Sequence, residues 1–551
     1  MRNKSHGRGR SYGALVAVCS AIIPSAAYAQ DTTGDRIEAI ERQIRNLQSE
    51  LKELKDELGA AKQQLQQSRS EAQRSKEEAR QAREAADQAR QDAAKAATAE
   101  SVATQGATQA QAAAAAPPPT PVVAAAKGVQ VGMPGGRPTI STSDGRMSFA
   151  IGTQVQWDVG TYLQNPLATT QFPQLNSGEN LRRGRIFFVG KYDDFTLNVT
   201  PDFGGSPDGS PTLYEANLNF TGFKPVTATI GYFKPWFSLY DSQSSNDFLL
   251  MERPSIIEIS RNVAAGDARA SVGAKASTDQ YFASWYMTGA TYGAQSSSLL
   301  NGEQVSTVGR LAGRPYYDDD WNLHLDFSGE YVFHPNINAN GTPGVSRTTF
   351  NLQDRPEDRA ADQNRLISTC NLSISNVGVY GGEVGINWRN FLVQGGYYHI
   401  GETQSKLQGQ PAPGLSFNGG YVEAGWVMTG EPIRYSTGSA AFARPKVADP
   451  FIIGENGLET GIGAWEIAAR WSVMNLNSNV TPGSGVSQTV TGGVYGGLQQ
   501  IFGAALSWYP NDWVRFYLQF QYTQIDKLNP AGTAQIGQKF ETLAGRVQVA
   551  F

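Results

Sequence analysis

The chain is 551 residues long, with 40% hydrophobic residues, 17% charged residues and a formal net charge of -4 at pH 7. Neither sign of charge predominates, which argues against nucleic acid as a partner, because nucleic-acid-binding proteins carry a basic patch or stripe. With 59 glycines, the chain is poorer in charge and richer in glycine than soluble proteins usually are.

The N-terminus predicts export from the cytoplasm. A basic segment precedes an apolar run at 14–23, and Ala27-Tyr28-Ala29 supplies a small-x-small cleavage signal, so residues 1–29 are interpreted as a signal peptide. Its removal would leave Cys370 as the single cysteine, without an intrachain disulfide. No later run of 18 or more apolar residues predicts a transmembrane helix.

Residues 30–100 are predicted to form a coiled coil. Apolar residues recur there with alternating spacings of three and four, as the a and d positions of a heptad repeat do. Isoleucine at both positions of the first heptad favours three strands over two. The alternative is a single solvated amphipathic helix, which is disfavoured because so long a register rarely persists without a partner. The seam positions are Ile37, Ile40, Ile44, Leu47, Leu51, Leu54, Leu58, Ala61 and Leu65.

Residues 101–147 are predicted to be a flexible linker. The composition falls to Ala, Gln, Thr and Pro and ends in a proline cluster at 117–121, which favours polyproline II. The stretch 127–145 is rich in Gly, Pro and Ser and is expected to be equally irregular.

From Ser148 to Phe551 short segments alternate apolar with polar residues, which places the two sets on opposite faces of a strand. About sixteen such segments, joined by short turns and longer connections in alternation, predict an all-β transmembrane barrel with antiparallel strands. The sheet must close, because lipid cannot satisfy an open sheet edge. A soluble sandwich or propeller is the alternative, and it is disfavoured by the signal peptide, the strand count and the terminal Phe551.

Three connections, 234–270, 334–376 and 430–461, are too long for simple turns. Long loops usually carry function, and folding inward to narrow the lumen is the expected use. Strand parity places the first two on the external side and the third on the periplasmic side. Aromatic residues near strand ends, Tyr398 and Tyr509 among them, are expected to form the interfacial girdles.

The barrel region also contains six motifs in a fixed order. They are Asn180-Leu-Arg-Arg-Gly-Arg185, Thr221-Gly-Phe-Lys-Pro-Val226 with Ile230-Gly-Tyr-Phe233, Ser244-Ser-Asn-Asp247 with Met251-Glu-Arg253, Arg355-Pro-Glu357, Thr429-Gly-Glu431 and Gly463-Ala-Trp-Glu-Ile-Ala-Ala-Arg470. These motifs resemble the phosphate-selective porin O and P family of Gram-negative bacteria. The resemblance implies a trimeric sixteen-stranded porin, whose constriction carries an arginine ladder and a lysine-containing anion site in the phosphate-selective members.

The resemblance also implies site residues: Arg182 and Arg183 match the paired arginines of the second strand, and Arg355 matches the ladder segment. With the other arginines of the second long connection, the anion-lining candidates are Arg182, Arg183, Arg347, Arg355, Arg359 and Arg365. Acids are interspersed with them, and opposite fixed charges within a Debye length of about 8 Å largely cancel. We therefore expect a modest anion preference and weak phosphate block. The acids are Asp241, Asp247, Glu252, Asp354, Glu357 and Asp358.

Catalysis is not expected. After the signal peptide the histidines are His324, His334 and His399, no nucleophile motif lies near the first, and no cluster has metal-ligand spacing, so no cofactor is predicted. The predicted function is an outer-membrane porin for small anionic or polar solutes, with phosphate as a candidate. The alternative is an outer-membrane anchor or tether whose barrel is a weakly selective pore. Expected partners are outer-membrane lipid, two further copies in a homotrimer, and peptidoglycan through the periplasmic coiled coil.

Overall fold

The computed structural model describes residues 48, 52, 128–164, 175–205, 210–266, 268–291, 304–335, 350–359, 364–404, 412–454, 457–481 and 483–551. The chain divides into two compact units, 1–122 and 123–551, and every element below belongs to the second. The predicted signal peptide, the coiled coil apart from residues 48 and 52, and most of the linker lie outside the described residues and stay predictions.

Within the described residues, sixteen antiparallel strands form a closed barrel, as the sequence predicted. Each strand pairs with the next along the chain, and the last closes on the first from Glu541 opposite Leu163 to Ala550 opposite Gln154. The short elements around this ring are β1 (Val129–Gly132), β2 (Thr139–Thr142), β12 (Gln353–Asp354), β13 (Ile367–Ser368), β17 (Arg434–Ser436), β18 (Ala441–Ala443), β19 (Ile452–Gly454), β20 (Gly457–Thr460), and helices α1 (Leu239–Ser242), α2 (Ser255–Ala264) and α3 (Gln488–Thr491). The barrel strands are β3 (Met147–Leu163), β4 (Gly178–Tyr192), β5 (Phe195–Asp202), β6 (Thr212–Phe220), β7 (Val226–Phe233), β8 (Arg269–Ser277), β9 (Tyr281–Thr291), β10 (Val305–Tyr317), β11 (Trp321–His334), β14 (Ile374–Trp388), β15 (Phe391–Gln404), β16 (Leu415–Val427), β21 (Ala464–Ser478), β22 (Val494–Tyr509), β23 (Val514–Asp526) and β24 (Lys539–Ala550).

The two faces of the barrel wall differ as the alternation predicted. On β11, Leu325 and Phe327 are 45% and 58% exposed on the outside, whereas His324 and Ser328 are fully buried inside. An apolar outer face and a polar inner face are what a barrel in lipid requires, because the outer side chains meet acyl chains and the inner ones meet water or loops.

The two ends of the barrel also differ. One end, called the short-turn end, carries turns such as 192–195 and 317–321, and the long connection 428–463. The opposite end, called the long-loop end, carries the other two long connections, 234–268 and 335–373. The prediction that the first two long connections lie at one end of the barrel and the third at the opposite end is therefore confirmed.

Aromatic side chains ring the short-turn end on the outside. Trp321 stacks on Trp388 with 5.9 Å between ring centroids, and other tryptophans continue the row, which confirms a girdle at this end. Tyr398 and Tyr509 were expected in the girdles, and this expectation is wrong. Both are buried in the lumen, because each follows an outward aromatic residue and successive side chains of a strand point to opposite faces. In the lumen, Tyr398 donates a hydrogen bond to Glu383 (2.9 Å).

The segment 127–145 was expected to be irregular, and this expectation is also wrong. Strand β1 pairs with β2, and β2 pairs with the start of β3 through Ile140 opposite Phe149. The hairpin covers the part of the β3 edge that β24 leaves uncovered. Its connection uses Gly135 and Gly136 at positive φ, so the glycines that suggested irregularity form a tight turn between strands.

The first long connection, 234–268, crosses the barrel interior and is called the inward loop. Its helix α2 buries Ile256, Ile257, Ile259 and Val263 in one apolar cluster with inward side chains of β10 to β21. The expectation that this connection narrows the lumen is confirmed. Among the described residues, no helix is long and apolar enough to cross a membrane.

Glycines on the inner wall make room for the inward loop. A Cβ atom at Gly425 would lie 2.6 Å from Leu249 Cδ2, and one at Gly503 would lie 2.6 Å from Leu250 Cδ2. The two leucines therefore occupy the space left by the glycines, and a larger residue at either glycine would displace them. This packing holds the loop against β16 and β22.

The third long connection, 428–463, enters the barrel from the short-turn end and is called the mouth segment. Arg310 donates hydrogen bonds to the carbonyls of Ser439 (2.6 Å) and Ala440 (2.7 Å), and Lys275 donates one to the carbonyl of Gly438 (2.6 Å). Phe442 is 2% exposed in the same segment. Loops therefore occupy the lumen from both ends.

Candidate permeation pathway

Arg182 and Arg183 both point into the lumen, although neighbours on a regular strand point to opposite faces. The pairing of β3 with β4 shifts between Gln156 and Trp157, where Gln156 lies opposite Arg183 and Trp157 opposite Leu181. Arg182 is the extra residue of this β-bulge. The bulge turns both guanidinium groups inward and keeps a charge off the lipid face.

The two arginines meet the inward loop at Glu252. Arg182 donates to both carboxylate oxygens (2.7 and 3.0 Å), Arg546 donates to one (2.8 Å), and Arg183 and Arg359 lie 3.8 Å away. Burial disfavours the charged carboxylate, but the four arginines hold the pKa of Glu252 well below its usual range. Three predicted anion-lining residues therefore anchor the loop in addition to facing the lumen.

The second long connection supplies the remaining candidates. Arg359 donates to Glu258 (2.7 Å), and the exposed Arg365 lies on the same loop. Arg355 is half-buried and has no carboxylate within 4.0 Å in the described part of the chain; burial, followed by Arg359 and Arg365, lowers its pKa to about 10. It remains charged at neutral pH. Arg347 lies outside the described residues.

Four of the six acids of the predicted constriction form ion pairs in the described part of the chain: Asp241, Asp247, Glu252 and Glu357. Asp241 is fully buried, with one carboxylate oxygen 2.6 Å from Arg261 and 3.1 Å from Arg253. Glu357 accepts from Arg470 at 2.7 Å. The interleaving of acids and arginines in the sequence thus corresponds to ion pairs between the loops and the wall.

Eight arginine and lysine residues of the described ranges line a cavity of about 650 Å3, called the cationic cavity. It extends from the inward loop at Ser245 and Arg253 to the short-turn end at Trp513 and Phe551. Asp512 is the one acid among the described residues that line it. Its cations are Arg137, Arg183, Arg185, Lys234, Arg253, Arg434, Arg444 and Lys446.

These cations fall into two groups. The deeper ones have acidic partners, as Arg185 has in Asp202 (2.7 Å) and Arg444 in Asp247 (3.7 Å). Arg137, Arg434 and Lys446 have no carboxylate within 4.0 Å in the described ranges. Unpaired positive charge is therefore concentrated towards the short-turn end.

Sequence reasoning missed most of this cavity. Of its cations, only Arg183 was a candidate, because the sequence candidates were limited to the paired arginines of β4 and the arginines of the second long connection. Arg137 comes from the segment taken as a linker, and Arg434 and Lys446 come from the mouth segment. The available signal was a set of basic residues in a long connection that enters the barrel.

A closed barrel of sixteen strands with an apolar outer face, a polar lumen and inward loops defines a porin of the bacterial outer membrane. The family model described as "Phosphate-selective porin O and P" matches residues 149–551. The chain belongs to that family.

Individual proteins are more distantly similar. An uncharacterized protein of Caulobacter vibrioides is 24% identical over 340 residues, which span 59% of this chain and 59% of that protein. OmpT of Vibrio cholerae, in a trimer form, has a TM-score of 0.41 at 11% identity over 74% of this chain and 99% of its own. An anion-selective porin from Comamonas acidovorans has a TM-score of 0.42 at 8% identity over 74% and 100%. Likenesses at this level add nothing to the assignment.

Proposed function

We propose that the protein conducts small anions by passive diffusion through the cationic cavity. The observation that carries this proposal is the excess of cations around that cavity, with Arg137, Arg434 and Lys446 lacking an acidic partner within 4.0 Å in the described residues. Positive charge at a mouth raises the local anion concentration, and deeper guanidinium groups replace part of the hydration that an ion loses.

Phosphate is among the proposed solutes, but strong retention is not expected. The deeper cations share their charge with acids, such as Arg253 with Asp241 and Arg182 with Glu252. Conduction needs binding that is weak enough to release the ion, and partial cancellation of the field provides this. The pore should therefore pass phosphate with only weak block of the chloride current.

The first prediction is a modest anion preference that depends on the mouth cations. An ion about 8 Å from one exposed charge gains about 0.2 kcal/mol in water at physiological salt, so three charges together change the local anion concentration about threefold. The triple variant Arg137→Ala, Arg434→Ala, Lys446→Ala should lower the anion-to-cation permeability ratio by at least that factor, because the same charges also repel cations. The measurement is the reversal potential of the full chain in a planar bilayer under a salt gradient.

The control for this experiment is Arg146→Ala. Arg146 is exposed at a turn of the short-turn end and pairs with Asp193 at 2.8 Å, outside the cavity lining. The Arg146→Ala variant should leave the anion-to-cation permeability ratio unchanged. Arg355→Ala and Arg182→Ala should each lower this ratio. Cation selectivity of the unmodified protein would overturn the proposal, and strong block of chloride current by phosphate would show a retaining site.

We also propose that the segment before the barrel lies in the periplasm as a three-stranded coiled coil and makes the protein a homotrimer. Strand β3 begins at the short-turn end, and short turns of outer-membrane barrels face the periplasm. Protease added to intact cells should spare an epitope in 41–57, and light scattering in mild detergent should give a trimer mass. Surface digestion or a monomer mass contradicts this. The alternative, an outer-membrane anchor or tether, predicts binding to peptidoglycan and a barrel that is only a weakly selective pore. No enzymatic activity is proposed.

A further inference from the structure

A second cavity, of about 630 Å3, lies beside the cationic cavity and differs from it in chemistry. Both are bordered by Lys234, Gln243 and Ser244 of the inward loop, but the second is walled by the lumen faces of β5, β6 and β7. More than half of its lining residues carry hydroxyl or amide side chains. Its charged residues are two lysines and two acids, so we call it the neutral cavity.

The wall of the neutral cavity is a row of hydrogen-bonded amides. The Oδ1 atom of Asn217 accepts from Asn198 (3.0 Å) and Asn219 (2.8 Å), and the Oδ1 atom of Asn219 accepts from Thr229 (2.7 Å). Asn217 donates in turn to the Glu215 carboxylate (3.2 Å). An ionised carboxylate only accepts, so this bond fixes which way the neighbouring amides point. The row spans three strands and is held in place before any solute arrives.

The inward loop, which borders this cavity through Gln243, contributes a buried acceptor that lacks a donor. Gln243 is 4% exposed, and its Oε1 atom has no hydrogen-bond partner in the described residues. Its amide cannot be turned round, because its Nε2 donates to Gln394 (3.2 Å), which itself donates to Glu423 (2.7 Å). An unpaired buried acceptor favours a ligand that brings a hydrogen-bond donor.

The charges of this cavity do not favour anions over uncharged solutes, because its two lysines are balanced by two acids. Chloride offers no donor to Gln243 Oε1, and an anion would face the carboxylates of Glu215 and Asp247. A hydroxyl group donates and accepts at once, which matches amides that present both kinds of group. The half-buried ring of Trp236 adds an apolar surface of the kind that packs against C–H groups.

We propose that the neutral cavity binds an uncharged polyhydroxyl solute of the size of a mono- or disaccharide. The volume lies within the range of ligand pockets, about 300–1,000 Å3. The inference rests on the proposed pore but not on its anion preference. Two solute classes then use neighbouring parts of one lumen, separated by Lys234 and Gln243.

Maltose is the probe for the neutral cavity. The chloride current of the full chain in a planar bilayer is recorded as maltose is added, with polyethylene glycol of equal hydrodynamic radius as the control for viscosity and crowding. Maltose should reduce the current saturably and beyond the effect of the polymer. A reduction equal to that of the polymer overturns the proposal.

Two variants locate the maltose site. Gln243→Leu removes the unpaired acceptor and Asn219→Ala interrupts the amide row, and each should raise the half-blocking maltose concentration about tenfold, since one hydrogen bond is lost. Arg146→Ala, at a turn of the short-turn end, is the matched control and should not change the half-blocking maltose concentration. If one variant fails to insert, the other decides, and an unchanged half-blocking concentration overturns the site.

Reversal potentials recorded in the same bilayers separate the two proposals. Maltose block without anion preference overturns the anion pathway alone. Anion preference without maltose block overturns the polyhydroxyl site alone.

Discussion

Glu252→Gln should raise the anion-to-cation permeability ratio more than any other single substitution of a lumen acid in the described residues. It removes the charge that Arg182 and Arg546 bind directly, and it leaves Arg182 and Arg183 without a carboxylate within 4.0 Å in the described residues. At an effective dielectric constant near 20, one charge about 8 Å from the ion path changes an ion's energy by about 1–2 kcal/mol. The sign is opposite for anions and cations, so the ratio should change at least about tenfold. The reversal potential in a salt gradient measures it.

The same substitution should create phosphate block and weaken the fold. Freed guanidinium groups bind a phosphate oxygen more strongly than the wild-type cluster does, so the half-blocking phosphate concentration should fall about tenfold. Breaking a buried ion pair costs about 3–5 kcal/mol; Arg182 keeps some exposure, which favours the lower end. A lowered denaturant midpoint would show this loss.

Glu179→Gln is the matched control for the Glu252 variant. Glu179 lies on the same strand as Arg182, its side chain is exposed, and no arginine lies within 4.0 Å of it in the described residues. It should change neither the ratio nor the midpoint. A Glu252→Gln ratio equal to that of the control would place the arginine cluster away from the ion path.

The barrel itself could be predicted because its signal is local. A period of two along each strand reports which face meets lipid, and the strand count follows from the turns. The inward orientation of both Arg182 and Arg183 could not be predicted from alternation, because alternation alone would turn one of them towards lipid. Gly184 directly after them is the kind of strand residue that marks a bulge, so the sequence held a signal for it.

The inward loop also left a signal in the strands that it touches. In β14, Val377 and Val379 face the lumen near the long-loop end, whereas Glu383 and Asn387 face it near the short-turn end. A strand that is apolar on both faces over half its length is buried on both sides there. This change along one strand predicts which half of the lumen a loop fills.

The cations of the cationic cavity could not be assembled from the sequence. Arg137 and Lys446 are separated by about three hundred residues, and they line one cavity because the barrel closes and the mouth segment folds into it. No periodicity relates a hairpin before the first strand to a connection after the twelfth. Contacts of this kind require the register of the closed sheet.

Ile259→Asp should open the lumen by releasing the inward loop. Ile259 is 2% exposed in the middle of α2, within the apolar cluster between that helix and the wall. The substitution forfeits about 1.5–3 kcal/mol of apolar burial and buries a carboxyl group that costs several kcal/mol more unless it finds a partner. The barrel should persist, because its strand pairs close without α2. Single-channel conductance should rise at least about twofold as the open cross-section grows.

Ile259→Val keeps the site apolar, costs about 0.5–1.5 kcal/mol and should keep the wild-type conductance. Val490→Asp places the same carboxylate on the short helix α3, where Val490 is 78% exposed, and should also leave conductance unchanged. The Ile259→Asp protein must first show the heat-modifiable gel migration of the wild type, so that a change in its current cannot be attributed to misfolding. If Ile259→Asp then conducts as the wild type does, the cluster around α2 does not hold the loop in the lumen. Glu252 with its arginines, and the leucines packed against Gly425 and Gly503, must then hold it.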